Sequence, residues 1–195
     1  PEEIKKVKII NRYHPDAETV VAANPDLIIG WKSTFASVLK KPTAWWNERG
    51  VRTYVVSTSN HLHDKGRIED ECRYLDDMGQ IFDVREKTDR MIREIHDELS
   101  RTQKLVKGRA SQAVMVVEPE GKAFYNYDNG WVVGDMVEQL GGYMPAGERR
   151  IGYEDLISYN PDVLFVVCFN EEQRLQIIEM FRRAEFSSLK SVKNQ

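Results

Sequence analysis

The sequence predicts an α/β protein with two Rossmann-like lobes, each built on a parallel sheet, joined by a single long α-helix. Three observations support this fold class. Short apolar segments alternate with helical patterns in both halves of the chain, as in parallel sheets. An amphipathic pattern of about 23 residues separates the two halves. A pattern in the first half also recurs in the second. We therefore predict an N-terminal lobe at 1–79, a linking helix at 80–107 and a C-terminal lobe at 108–195.

The first half alternates strand and helix signals. β-Branched and aliphatic runs predict strands, and these lie at 7–10, 27–29 and 54–56. Periodic apolar residues predict helices, which lie at 16–23 and 35–49. Gly50 follows the second helix at a position where glycine commonly ends helices.

Two helices in series are predicted next. In the first, apolar residues recur every three or four positions from Ile68, and Gly79 is expected to end it. The second is the long helix, for which Asp83 and Glu86 predict a capping box. The C-terminal lobe then repeats the alternation, with strands at 113–117 and 163–167 and helices at 132–140, 153–159 and 171–183.

Composition excludes several classes of protein. The 28 basic and 31 acidic residues give a net charge of −3, which argues against nucleic-acid binding. No apolar run is long enough to span a membrane. Cys72 and Cys168 both lie in apolar stretches, where we expect buried free thiols rather than a disulfide framework.

The most specific feature is an internal repeat. Residues 18–29 and 154–165 both place a glutamate six residues before Asn-Pro-Asp and then an apolar strand. The proline stops a short helix, and the glutamate lies in the helix's first turn, where the dipole favours an anion. Each glutamate alone is explained as a good first-turn residue. As a pair, Glu18 and Glu154 could instead bind a partner with two equivalent sites.

With this repeat, the sequence resembles the substrate-binding proteins of ABC importers for ferric siderophores, haem and vitamin B12, a class with one helix as its backbone. The matching segments follow the family's order and cover most of the chain, at 18–31, 50–56, 134–142, 154–165 and 186–194. The resemblance implies that the protein binds an iron chelate between its lobes, delivers it to a permease, and catalyses no reaction. It further implies that Glu18 and Glu154 dock into basic pockets of the permease.

The resemblance also bears on location and completeness. Members of the family begin with a further strand and helix, and continue beyond the segment that matches the end of this chain. We therefore expect a fragment that lacks both terminal segments, with a periplasmic or extracellular location. A lipid anchor, expected only in the full-length protein, would be its one connection to the membrane.

Residues that follow the predicted strands are the candidates for ligand binding, because open α/β sheets bind ligands at the carboxyl ends of their strands. They combine aromatic rings, which suit a flat chelate, with cations, which suit its negative charge. The candidates are Arg12, Tyr13, His14, Trp31, Lys32, Ser59, Asn60, Tyr125, Tyr127, Trp131, Phe169 and Asn170. Trp31 is the strongest, although packing beneath a loop would also explain it. Tyr125 and Tyr127 could simply share one face of a strand.

Three alternatives to the iron chelate remain open at this point. The ligand could be haem or cobalamin. His14, His61 and His63 could bind free zinc or manganese, although a solvated loop is the commoner explanation for the last two. The layout is also shared by tetrapyrrole metal chelatases. The sequence has no phosphate-binding loop and no nucleophile elbow, so we expect neither enzymatic activity nor a cofactor. His96 is expected to lie on the solvated side of the long helix.

Overall fold

A computed structural model describes residues 5–11, 14–58 and 65–193. The chain divides into two compact units, Pro1–His63 and Asp64–Gln195. They are described one at a time below. The predicted division into two lobes and a linking helix stays a prediction.

The first unit is a small α/β assembly around a two-stranded parallel sheet. Its elements are α1 (Ala17–Ala23), β1 (Leu27–Gly30), a π-helical segment (Thr34–Val38), α2 (Thr43–Asn47) and β2 (Arg52–Val55). β1 pairs with β2 from Leu27 opposite Arg52 to Gly30 opposite Val55. The core between helices and sheet is formed by Val20, Phe35, Leu39 and Trp46. Trp46 is fully buried.

Two sequence predictions in this unit are wrong. The helix expected at 35–49 is two short segments, because Lys40 adopts a left-handed φ of 51° and Pro42 restricts the residue before it to extended backbone. No strand forms at 7–10, where Val7 and Ile9 are mostly exposed. An apolar run forms a strand only where a neighbouring strand pairs with it.

The second unit begins with a helix pair and continues into a four-stranded mixed sheet. The helices are α3 (Ile68–Ile81), α4 (Arg85–Val106), α5 (Val132–Gln139), α6 (Tyr153–Tyr159), α7 (Glu171–Phe181) and α8 (Lys190–Lys193). The strands are β3 (Val114–Glu120), β4 (Ala123–Asn126), β5 (Arg150–Gly152) and β6 (Val163–Val166). The strand order is β5-β4-β3-β6, with β3 and β6 parallel and the other pairs antiparallel.

Helices α3 and α4 pack against each other along much of their length. Gly79 is buried in this contact, and a β-carbon there would clash with Thr88 Oγ1. Gly79 therefore permits close packing and does not end α3, contrary to the prediction. The predicted capping box is also wrong: Asp83 has a left-handed φ of 53° and α4 begins two residues later. The long helix itself is confirmed, at 22 residues.

The two faces of the second unit's sheet carry separate cores. Met115, Val117 and Phe124 lie on one face and pack with Leu156 of α6 and Phe186. Val114 and Val116 lie on the other face, against Val137 of α5. This alternation follows from the two-residue period of a strand. The first four residues of β3, Val114 to Val117, are therefore buried on both faces.

The predicted fold class is confirmed, since both units contain parallel strand pairs and the long helix is present. The antiparallel hairpin of β3 and β4 was not predicted. Its turn is made at Gly121, whose φ of +65° suits glycine. Within the described residues, no helix combines the length and apolarity that a membrane crossing requires.

Candidate functional site

The internal repeat is a structural repeat. Helix α1 ends at Asn24, with φ 47° and ψ 58°, and α6 ends at Asn160, with φ 44° and ψ 59°. Asparagine tolerates this left-handed conformation better than most residues. Each helix is followed by a four-residue strand with the same pattern of burial, in which the third residue is the most exposed. The two copies of the motif therefore fold alike.

Both motif glutamates are exposed in the first turn of their helices. In the first copy, the Asp16 carboxylate accepts a hydrogen bond from the Thr19 amide at 2.7 Å. In the second, the Asp155 carboxylate accepts one from the Gly152 amide at 2.7 Å. Because neighbouring aspartates cap the helices, Glu18 and Glu154 are not needed for these two bonds. Their carboxylates lie where a basic partner can reach them.

Three aromatic rings form a cluster on one face of the second unit's sheet. The ring centroids of Tyr125 and Tyr127 are 5.1 Å apart, and Trp131 lies 6.0 Å and 5.3 Å from them. All three contacts are edge-to-face, the geometry that aromatic quadrupoles favour. All three residues are partly exposed. The cluster therefore presents aromatic surface without being a closed core.

Polar and charged groups surround this aromatic cluster. The Tyr127 hydroxyl donates a 2.7 Å hydrogen bond to Glu118 Oε2. Burial and this bond raise the pKa of Tyr127 well above its usual value. Burial also raises the pKa of Tyr125, and the positive charge of Arg149 opposes that rise. The cluster thus combines aromatic rings with one nearby cation, Arg149, and the nearby carboxylates of Glu118, Glu120 and Asp128.

Arg149 and Glu118 were not among the candidates. Arg149 precedes the short strand β5, and its carbonyl accepts the Asn126 amide at 2.8 Å. Only the antiparallel pairing of β4 with β5, which was not predicted, brings it to Tyr125. The pairing of Tyr125 with Glu118 across the hairpin likewise places Glu118 at the cluster.

Phe169 and Asn170 follow the carboxyl end of β6. Phe169 is 71% exposed, and its amide donates to Gln173 Oε1 at 2.8 Å. Asn170 caps α7 by accepting the Gln173 amide at 2.8 Å. A cavity of about 880 Å³ lies beside Phe169, and Glu154 and Lys122 also line it. The Asn170 oxygen already has a structural partner, whereas the Phe169 ring is available to a ligand.

In the first unit, Trp31 and Lys32 follow the carboxyl end of β1 as predicted, and both are exposed. The Trp31 side chain does not pack beneath a loop: the residue is 52% exposed, while its amide donates to Thr34 Oγ1 at 3.0 Å. Lys32 lines an open groove of about 450 Å³ with Phe35 and Val55. His14 is exposed.

The remaining candidates lie outside the described residues, and they are Arg12, Tyr13, Ser59, Asn60, His61 and His63. One further expectation is wrong, because Cys168 is exposed rather than buried. His96 is exposed as expected, and its Nε2 also lies 3.0 Å from Glu69 Oε1 and 3.7 Å from Cys72 Sγ.

A periplasmic binding protein family model matches residues 1–195. The chain belongs to the periplasmic binding protein family. No curated protein matches this family member significantly. The family resemblance inferred from the repeat is thereby confirmed.

Solved structures show the same fold at low sequence identity. A periplasmic binding protein from Veillonella parvula DSM 2008 is 23% identical with a TM-score of 0.79, over 93% of this chain and 58% of that protein. An ABC-type Fe3+-hydroxamate transport system protein from Saccharomonospora viridis DSM 43017 is 16% identical with a TM-score of 0.73, over 97% and 65%. S. aureus IsdE complexed with haem is 16% identical with a TM-score of 0.70, over 100% and 75%. This binding protein thus spans a little over half of the Veillonella relative.

Proposed function

We propose that this protein is the extracytoplasmic substrate-binding component of an ABC importer, that it binds a ferric siderophore-like iron chelate, and that it delivers the chelate to the permease without catalysing a reaction. The observation that carries this proposal is the structural repeat, which exposes one equivalent glutamate on each unit. Membership in the periplasmic binding protein family supports it. The Saccharomonospora viridis and S. aureus relatives supply the two ligand classes to compare, Fe3+-hydroxamate and haem.

Permease docking would use Glu18 and Glu154. Each is exposed, and in each helix another carboxylate does the capping. A positive helix N-terminus favours an ionised carboxylate there, and an ionised carboxylate is the group that arginine binds with two hydrogen bonds. Two such anions on matching motifs suit a partner whose two halves are alike.

Chelate binding would use the aromatic cluster of Tyr125, Tyr127 and Trp131 in the second unit, together with Arg149. Aromatic faces contact the organic part of a chelate, and a guanidinium balances the negative charge of many ferric complexes. Exposed aromatic rings at strand ends, Trp31 in the first unit and Phe169 in the second, are further candidates for chelate binding. Arg12, Tyr13, His14, Lys32, Ser59, Asn60 and Asn170 stay candidates.

Tryptophan fluorescence tests the ligand class. The chain has four tryptophans; Trp46 is buried and Trp45 packs against it at 4.8 Å. Trp31 and Trp131 are therefore the reporters. We would titrate a ferric hydroxamate siderophore, haem, cobalamin and Zn2+ into the protein, and into its Trp31→Phe and Trp131→Phe variants.

We expect the ferric siderophore to quench emission, and Trp131→Phe to remove part of that change. Arg149→Gln should weaken binding by roughly tenfold, because one charge-assisted contact is lost. Arg182→Gln is the control, because Arg182 is an exposed arginine at the C-terminal end of α7. Quenching by haem or cobalamin alone would mean that the ligand is one of these and not a ferric siderophore. A response to Zn2+ alone, or porphyrin metallation on addition of metal, would overturn the proposal.

A further inference from the structure

Helices α3 and α4 bring three metal-binding side chains together. Glu69 and Cys72 lie three residues apart on α3 and so share one face. His96 lies on α4, which packs against that helix. Its Nε2 is 3.0 Å from Glu69 Oε1 and 3.7 Å from Cys72 Sγ. The three ligand atoms all lie within 4.8 Å of one another.

Two of these distances are close to the edges of a tetrahedral zinc site. With Zn–N and Zn–O bonds of about 2.0–2.1 Å and a Zn–S bond of about 2.3 Å, tetrahedral geometry separates the ligand atoms by about 3.3–3.5 Å. The observed separations of 3.0 Å and 3.7 Å lie on either side of that value. The third pair of ligand atoms, on Glu69 and Cys72, lies within 4.8 Å, so rotation of the exposed Glu69 and His96 side chains would close the site around an ion.

We propose that Glu69, Cys72 and His96 bind a Zn2+ ion, with a fourth coordination position open to water or to a ligand from another molecule. One thiolate, one imidazole and one carboxylate form a donor set of the kind that zinc takes in proteins. The site is separate from the aromatic cluster and from both motif glutamates, so it does not depend on the proposed function.

Burial and rigidity both favour this site. Cys72 is 5% exposed, whereas the side chains of Glu69 and His96 are 62% and 46% exposed, so an ion can enter from solvent and reach the sulfur. The close contact of Gly79 with Thr88 fixes α3 on α4. Zinc binding displaces the thiol proton of Cys72 to solvent as the Zn–S bond forms.

Cobalt substitution provides a direct test, because tetrahedral Co2+ absorbs visible light and a cobalt–thiolate bond adds a charge-transfer band. We would titrate Co2+ into the reduced protein and then displace it with Zn2+. We expect both absorption features with one ion per chain. His96→Gln and Glu69→Gln should each weaken binding by at least about tenfold, a loss comparable to that on removing even an outer-shell partner.

Controls separate this site from other donors. Cys72→Ser should abolish the charge-transfer band, whereas Cys168→Ser, at the exposed free cysteine, should leave it unchanged. A His14→Asn, His61→Asn and His63→Asn triple variant should also keep the band. His96→Gln is at a partly exposed position, so it reports on the site even if replacing buried Cys72 impairs folding, which circular dichroism would reveal.

A band that persists in His96→Gln and Glu69→Gln at full affinity, or one that disappears with Cys168→Ser, would overturn the proposal. So would the absence of any cobalt–thiolate absorption in the folded protein. Siderophore titration of the His96→Gln, Glu69→Gln and Cys72→Ser variants should be unchanged, so that failure of the metal site and failure of the proposed function give different results.

Discussion

The two copies of the repeat have the same local structure but different tertiary connections. Asn24 and Asn160 end their helices with nearly equal dihedral angles. In the second copy, however, the Asp162 carboxylate accepts the Ala113 amide at 2.9 Å and Lys190 Nζ at 3.1 Å. Asn160 Oδ1 accepts the Lys190 amide at 2.9 Å. The second copy is thus tied to the start of β3 and to α8.

This difference separates the local structure that the motif's own residues produce from the hydrogen bonds that depend on neighbouring elements. The helix end and its left-handed cap follow from the motif's own residues, since they are the same in both units. The hydrogen bonds of the Asn and Asp side chains depend on which elements pass nearby. Under the docking proposal, the exposed glutamate is the part of the motif with a shared role.

Replacing the glutamates should have the largest effect. Under the docking proposal, Glu18→Gln and Glu154→Gln should each lower chelate import by roughly tenfold or more, because a buried interfacial charge pair loses one partner. The double variant should abolish import. Import would be measured in cells that contain the cognate permease, and chelate binding by fluorescence should stay unchanged.

Glu172→Gln is the matched control, because Glu172 also lies in the first turn of an exposed helix but outside the repeat. Normal import by the double variant would show that the two carboxylates are only first-turn helix residues. A loss confined to one single variant would show that the two copies are not used equally.

The asparagine caps should respond unequally. Asn24→Ala should cost about 1 kcal/mol, because alanine disfavours the left-handed conformation. Asn160→Ala should cost about 2 kcal/mol, since the hydrogen bond to the Lys190 amide is lost as well. Urea unfolding measures both.

Asn24→Gly and Asn160→Gly refine this comparison. Glycine relieves the backbone strain in both, so Asn24→Gly should be close to neutral while Asn160→Gly still destabilises. Equal losses in both glycine variants would mean that the Lys190 bond contributes nothing.

Asp162→Asn should have a smaller effect that depends on pH. Hydrogen bonds from the Ala113 amide and Lys190 lower the pKa of Asp162 in the folded state. Its contribution is therefore present above the unfolded pKa of about 4 and is lost as pH falls through the lower folded value. The wild type should exceed Asp162→Asn in Tm by a few degrees at pH 7, with the gap closing towards pH 3. Asp26→Asn, the equivalent position, should show less change at either pH.

The smallest effect is expected at the helix starts. Asp16→Ala removes the acceptor for the Thr19 amide, whereas Asp16→Asn keeps one, because asparagine is an equally good cap. Thermal unfolding should show a modest loss for Asp16→Ala and almost none for Asp16→Asn. Equal losses would mean that the charge of Asp16 matters more than its hydrogen bond.

The sequence predicted the elements whose signals are local. Helices α1 and α6, strands β1 and β6 and the long α4 were all expected, because proline, asparagine and apolar periodicity act over a few residues. The interruption at Pro42 was overlooked, although proline is a strong local signal. The strand predicted at 7–10 is absent for a non-local reason. A strand forms only when it pairs with another strand, and the periodicity of one segment does not show whether a partner is present.

The candidate site was predicted in part. Trp31, Phe169 and Trp131 were found because strand ends and loops expose aromatic residues. Arg149 and Glu118 were missed because an antiparallel hairpin brings them to Tyr125 and Tyr127 from elsewhere in the chain. The contacts of His96 with Glu69 and Cys72 were not predicted, because those two residues lie on a different helix. Contacts between elements of this kind have no signature in a single segment.

The contact of Gly79 with Thr88 also has a consequence for how the sequence can vary. Most residues of α3 and α4 are at least partly exposed, and exposed helices ordinarily accept many substitutions. At Gly79 only a hydrogen atom fits. Residues on the outer sides of these helices are thus free to diverge among homologues, while this one inner position admits no side chain.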